Sequence, residues 1–218
     1  MATVYKNAGL KMVMQSALAA AKVITAATNA APGVFTSTAH GYVDGDFVLL
    51  KVNGMREVNF GVFEIYASAA NTFSLKGPTG VAGLDTTSFG AFTDGTAEKV
   101  TFGTSITGVQ EFSPSGGEPK YVDSGTVHDF TDKQEVVGST PINWSMTMQW
   151  DPTDVAQIAM KTAFKTDSPK AFKVTWPNGT YAAFYGSVGF SGAPGGGKQS
   201  ITTSPAAISA KGDMTFSK

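Results

Sequence analysis

One stretch of nine residues limits the fold more than any other feature of the sequence. From Ile142 to Trp150, the apolar residues Ile142, Trp144, Met146, Met148 and Trp150 alternate with Asn143, Ser145, Thr147 and Gln149. Side chains on a strand point to opposite faces with a period of two, so this pattern predicts a strand with one face against a core. The other face is polar yet carries no charge. Such a face suits a partner surface or a channel better than open solvent.

The period then changes. Asp151 reads as an N-cap, Pro152 as the first helical residue and Asp154 as an acid in the first turn, where a carboxylate complements the helix dipole. Val155, Ile158, Ala159, Thr162 and Ala163 fall on one helical stripe, expected to face the core. Lys161 and Lys165 lie toward the C-terminal end and Ser168-Pro169 stops the run, so one α-helix is expected at about 151–166. A hairpin follows: a strand at Ala171–Trp176, a turn at Pro177-Asn178-Gly179 and a returning strand at Tyr181–Phe190, with Asn-Gly supplying the positive φ angles. A Gly-rich loop at Ser191–Gln199 leads to Ser/Thr-rich strands at Ile201–Ala210 and Met214–Ser217.

Upstream, short apolar runs are punctuated by 25 Gly and 10 Pro, which is the texture of a β protein with many turns. Leu10–Thr28 shows no clean period and is read as a long strand, irregular near Thr25–Asn29. Its apolar part, Leu10–Ala21, is opened by Lys6 and Lys11 but broken by Gln15 and Ser16. A bilayer needs about 20 apolar residues, so no membrane span or signal peptide is expected and the chain is read as made in the cytoplasm. Residues 30–102 read as a compact β module. Its strands are Val34–Ser37, Phe47–Val52, Val62–Ala67, Thr72–Lys76 and Ala97–Phe102. Its turns are His40-Gly41, Asp44-Gly45-Asp46, Asn53-Gly54 and Asn71, and a Gly-rich stretch, 77–90, lies within it.

Ser113–Gly138 is different. It is polar, holds Gly116-Gly117 and lacks a sustained apolar period, so it is expected to be a long loop, a feature that usually signals function or disorder. Six acids (Glu111, Glu118, Asp123, Asp129, Asp132, Glu135) face Lys120 and Lys133 in this region. From Lys161 onward seven Lys stand against Asp167 and Asp213. Two oppositely charged patches on opposite faces would let copies stack head to tail; ordinary scatter of surface charge explains the same layout equally well.

Composition narrows the chemistry. Charged residues make up 15% of the chain, below the quarter usual for globular proteins, which leaves neutral surface to be covered by association. A formal net charge of -1 excludes a strongly basic grip on nucleic acid. The absence of Cys excludes disulfides, thiolate metal sites and a cysteine nucleophile. The two His, His40 and His128, read as a turn residue and an exposed loop residue; a hydrolytic site at His128 and Asp129 is the catalytic alternative. Asp44 with Asp46, and Asp151 with Asp154, are explained by turn and cap roles. Gly195-Gly196-Gly197-Lys198 lacks the spacing of a phosphate loop. Trp144, Trp150 and Trp176 suit a core, or a carbohydrate-binding adhesive surface. No catalytic residue, cofactor or metal ligand is assigned.

The stretch Trp150-Asp151-Pro152, the hairpin Val174–Thr180, then Phe184-Tyr185-Gly186 and the Ser/Thr-rich end resemble the tail tube subunits of siphophages. Thr38-Ala39-His40-Gly41, Gly45-Asp46, Asn53-Gly54-Met55 and Ala69–Phe73 resemble a small β module that recurs in phage virion proteins. The resemblance implies a mainly β protein: an antiparallel β-sandwich or half-barrel with one flanking helix, formed by 1–29 plus 103–218, with 30–102 inserted on its outside. It implies homo-hexameric rings that stack into a tube for DNA passage without tight binding, with a tape measure protein and a tail terminator as further partners. On this analogy the Ser113–Gly138 loop stacks rings, through Ser113, Gly116, Gly117, Glu118, Lys120, Asp123, His128, Asp129 and Asp132. Asn143, Ser145, Thr147 and Gln149 would face the lumen or a neighbour. Tail terminators and baseplate tube-like proteins share the fold and remain an alternative role.

Overall fold

Why these segments become strands is visible from the first. β1 (Lys11–Leu18) buries Met12 and Met14 by alternation, then breaks it: Gln15 is also buried, and the pairing shifts register on both sides of it. The bulge turns the Gln15 side chain inward, where its amide oxygen accepts a hydrogen bond from Ala171 N at 3.0 Å. This is why the start of Leu10–Thr28 shows no clean period. After Leu18 the chain re-forms as β2 (Lys22–Ile24) and β3 (Ala26–Ala27). The computed structural model describes residues 7–78 and 82–218; Lys6 and residues 79–81 of the 77–90 stretch lie outside the described residues.

β4 (Val34–Thr36), β5 (Phe47–Asn53), β6 (Val62–Tyr66) and β7 (Thr72–Leu75) follow. β8 (Asp94–Ile106) runs for 13 residues and contains the expected return strand. Then come β9 (Val109–Ser115), β10 (Pro119–Asp123), β11 (Gln134–Ser139) and β12 (Asn143–Gln149). α1 (Val155–Lys165) is the one α-helix among the described residues, and β13 (Lys170–Thr175), β14 (Tyr181–Gly189), β15 (Thr203–Ala210) and β16 (Thr215–Ser217) end the chain. Pro177-Asn178-Gly179 turns β13 into β14 with Gly179 alone at positive φ, 88°, and Gly179 N donating to Trp176 O at 3.0 Å; Asn178 does not take the positive φ expected of it.

The protein is thus mainly β. Fourteen strands form one antiparallel sheet along the path β3-β4-β7-β6-β5-β8-β1-β13-β14-β15-β12-β9, with β16 on β14 and β2 on β8. β8 and β9 are joined only by Thr107-Gly108, yet they stand at the two ends of the run β8-β1-β13-β14-β15-β12-β9. A sheet meets that constraint by curling on itself, so this half of the molecule is a half-barrel. α1 packs against β14 and β8 at its flank.

The curl encloses the main core, built from Met12 and Met14, Trp144, Met146 and Met148, Phe172, Phe184 and Ile208, with Met160 from the helix. A stack of rings crosses it: Phe112 on Trp144 at 5.4 Å, Trp144 on Phe184 at 5.6 Å and Phe184 on Phe172 at 5.6 Å between centroids. A second core, around Phe35, Leu50, Ile65 and Phe73, lies under β4–β7. His40 is buried beside it: its Nδ1 accepts from Tyr42 N at 3.0 Å and its ring stacks on Tyr42. Asp44 and Asp46 hold the adjoining turns, accepting from Ser68 N and Val43 N. A third cluster joins the two halves, with Leu49, Val62, Val100, Ala183 and Tyr185 buried and Phe47 and Phe102 beside them. There Lys173 Nζ sits 4.4 Å from the centroid of Phe47, and burial pushes its pKa down.

The helix differs from expectation in two ways. Its N-cap is Asp154, whose carboxylate accepts from Gln157 N at 2.9 Å, while Asp151 accepts from Thr153 instead. Its buried face is Ala156, Gln157, Met160 and Ala163; of the expected stripe, Val155 and Ile158 face outward, 72% and 52% exposed. Gln157 sets this rotation. Its side chain donates to Gln149 O at 2.7 Å and accepts from Asp151 N at 3.2 Å, which pins the first turn to the end of β12.

Candidate assembly surfaces

The sequence leaves Ser113–Gly138 as a loop, but the structure folds it. β9 extends through Ser113 to Ser115, and β10 and β11 form a separate two-stranded antiparallel sheet. Gly116 and Gly117 make the exit from β9 with φ of 88° and 81°. A Cβ on Gly116 would lie 2.1 Å from Pro141 O, so only glycine lets the two legs come this close. The root is fastened by Gly117 N donating to Thr140 O at 3.1 Å, Glu118 N to Thr140 Oγ1 at 3.0 Å and Thr140 N to Glu118 O at 2.8 Å. Polar residues hid the hairpin because its strands have no core to alternate against.

Further out, Lys120 pairs with Gly138, and Asp123 with Gln134, whose side-chain amide donates to the Asp123 carboxylate at 2.9 Å. The tip is tied by Asp129. Its carboxylate pairs with Lys133 and accepts from Thr126 N at 2.9 Å and Thr126 Oγ1 at 3.0 Å. Lys133 first, then these Thr126 bonds, hold its carboxyl below the usual range. His128 is exposed beside it and Asp132 is exposed further along. The Asp129 carboxylate is thus engaged by Lys133 and Thr126.

Every residue of β10 and β11 is exposed. Among them are apolar residues that the polarity of the region concealed: Tyr121, Val122, Val136 and Val137, with Val127 and Phe130 at the tip, 98% and 108% exposed. The signal was present in Tyr121-Val122 and Val136-Val137, two apolar pairs on either side of a polar turn. A lone two-stranded hairpin is marginal in water, and one with six bare apolar side chains gains by being covered.

The second surface is the outer face of β12. Trp144, Met146 and Met148 are buried on the core side, as the alternation predicts, and Asn143, Ser145, Thr147 and Gln149 lie on the other. Trp150 leaves the strand; its indole N–H donates to Gly192 O at 3.1 Å and it stands partly exposed. In register beside the polar row stand Ser115, Ser113 and Glu111 on β9, and Ser209, Ala207, Pro205 and Thr203 on β15. The result is a patch of small, mostly uncharged side chains, Glu111 being its one ionised group. β9 ends the strand path, so its outer edge is open.

Among the described residues no group of three or more His, Asp or Glu stands close enough to hold a metal ion, and no helix is long and apolar enough to cross a membrane. A family model described as "Phage tail tube protein" matches residues 53–218, about three quarters of the chain. The match starts at the last residue of β5 and runs through the half-barrel to the end. None of the curated proteins compared matches the chain.

Proposed function

Because the chain belongs to the phage tail tube protein family, we propose that it is the repeating subunit of the tube itself, closing into hexameric rings that stack along the tail and pass DNA at ejection. Membership makes it a structural component of the virion tail that assembles with other tail proteins. The finer reading rests chiefly on one observation: a hairpin that projects from the half-barrel with its apolar residues bare. Such an element is stabilised when a neighbouring copy covers it, and a head-to-tail contact between identical copies extends into a filament.

The other surfaces fit this role. The open edge of β9 suits lateral pairing with a neighbour's strand, which buries unpaired backbone groups. The uncharged row Asn143, Ser145, Thr147 and Gln149 suits the lumen, where a wall without fixed positive charge lets a polyanion slide. In this arrangement residues 30–102 decorate the outside of 1–29 plus 103–218, and the tube ends meet a tape measure protein and a tail terminator.

Replacing residues 117–139 by a short Gly-Ser link tests the reading by sedimentation velocity. The unaltered protein is expected to form large, polydisperse particles as concentration rises, and the variant to stop at a single small species. Particles of equal size from both would overturn the hairpin's role.

A further inference from the structure

The tube reading requires the hairpin to land on something, and the exposed face of α1 has the matching chemistry. We propose, resting on that reading, that this face, with Val155 and Ile158 in its first turns and Lys161 and Lys165 beyond them on the same side, is the seat for the β10–β11 hairpin of a second copy. All four side chains are exposed. The two apolar ones were expected on the core-facing stripe, yet they lie outside the core.

Position supports the pairing. The hairpin leaves the sheet at the end of β12 marked by Asn143 and its partner Ser115. The helix begins at the opposite end of the same strand, where Gln149 N donates to Gly108 O at 2.9 Å and the Gln157 side chain holds Gln149 O. The hairpin and the first turn of the helix, where Val155 lies, therefore stand at opposite poles of β12, as head-to-tail stacking needs. A contact between different surfaces of identical copies leaves each copy one free donor and one free seat, so it propagates.

Charge supports it too. Among the described residues, Lys161 and Lys165 make no ion pair, and neither do Glu118, Asp132 and Glu135 on the hairpin. The acids near the start of the helix do not oppose the hairpin's charge freely. Asp151 is turned onto Thr153, and Asp154 onto Gln157 N and, at 3.3 Å, Thr107 Oγ1. What this helix face offers outward is two apolar side chains and two cations, and what the hairpin offers is apolar side chains among anions without an ion pair. Opposed charge fixes the register of such a contact, while the apolar area supplies the attraction.

The native chain has no Cys, so single cysteines report contacts without background. Val127→Cys protein mixed with Ile158→Cys protein, assembled and treated with a short bis-maleimide, is expected to give a covalent dimer at least about tenfold above either variant alone. Both positions are exposed, so neither change disturbs the core. Rods that assemble but yield no such dimer would overturn the proposal. So would preferential linkage of Val127→Cys to Thr107→Cys, which would place the tip in the cleft beside the β8–β9 turn instead. If the unaltered protein forms no rods, the tube reading itself fails, and the same cross-link read on soluble oligomers still decides the contact. Independently, Lys161→Glu with Lys165→Glu is expected to raise the concentration needed for assembly at least about tenfold, and Asp132→Lys with Glu135→Lys in the same chain to restore it. Failure of that rescue counts against the pairing.

Discussion

Tyr42 shows how a single buried polar group ties the β4–β7 half to the long strand. Its hydroxyl donates to Ala97 O at 2.8 Å, and its ring stacks against His40 and meets Phe73 edge-on. Burial first, then the nearby Glu98 and Asp46 carboxylates, push its pKa up to about 12. The unfolded chain releases this proton near pH 10 while the folded chain keeps it, so the stabilisation is complete below pH 10 and is lost as pH rises toward 12. Tyr181 and Tyr185 are raised as well and act in the same direction. Urea unfolding from pH 8 upward should therefore show falling stability above pH 10, with a shallower fall in Tyr42→Phe. That variant should also lose about 1 kcal/mol at neutral pH with its hydrogen bond. An equal slope in both proteins would contradict the assignment. At the hairpin root, Gly116→Ala forces a contact with Pro141 O and a residue with a Cβ into positive φ. Its urea midpoint should stay within a few tenths molar of the parent, because the core is untouched, while assembly should weaken.

At the scale of elements, the cap of α1 separates two readings of the same acids. Asp154→Ala is expected to cost about 1 kcal/mol, the usual loss for a helix N-cap, and Asp151→Ala markedly less. Thermal unfolding of the two variants checks this, and the reverse order would mean that the helix starts where the sequence alone places it. The existence of the helix was legible from its helical run bounded by acids before it and Ser168-Pro169 after it, but the sequence alone places its start too early: Asp154 and not Asp151 is the N-cap, and Pro152 lies ahead of the first turn. The rotation of the helix was not legible, because it depends on Gln157 reaching Gln149 and Asp151, a contact invisible to periodicity. β12 was legible for the opposite reason: it is buried on one face along its length, so alternation survives. β1 was not, because the bulge at Gln15 puts a polar residue on the buried side. The hairpin escaped because neither of its strands has a buried face to impose alternation. On this hairpin the sequence reading named Gly116 and Gly117 at the root and the acids along the legs, and did not name the exposed apolar residues Tyr121, Val122, Val127, Phe130, Val136 and Val137.

Across the whole molecule, the two halves share one sheet. β8 pairs with β5 through its first part and with β1 through its second, so it belongs to both cores. The seam is closed by Phe47, packed edge-on against Phe102 and Tyr181 and faced by Lys173, while Tyr181 donates to Glu64 at 2.6 Å. Phe47→Ala should cost about 3 kcal/mol. All three Trp lie outside residues 30–102, so Trp fluorescence reports the half-barrel while far-ultraviolet circular dichroism reports both halves. Coincident urea transitions by the two probes are expected from a shared strand; a second transition seen only by dichroism would mean that 30–102 unfolds on its own.

The tube is the claim on which the rest depends, and negative-stain electron microscopy of the untagged protein at rising concentration tests it most directly. Hollow rods of uniform diameter with a regular axial repeat are the predicted result. Particles that stay monomeric up to the solubility limit, in the intact chain and under conditions where its fold is retained, would contradict it.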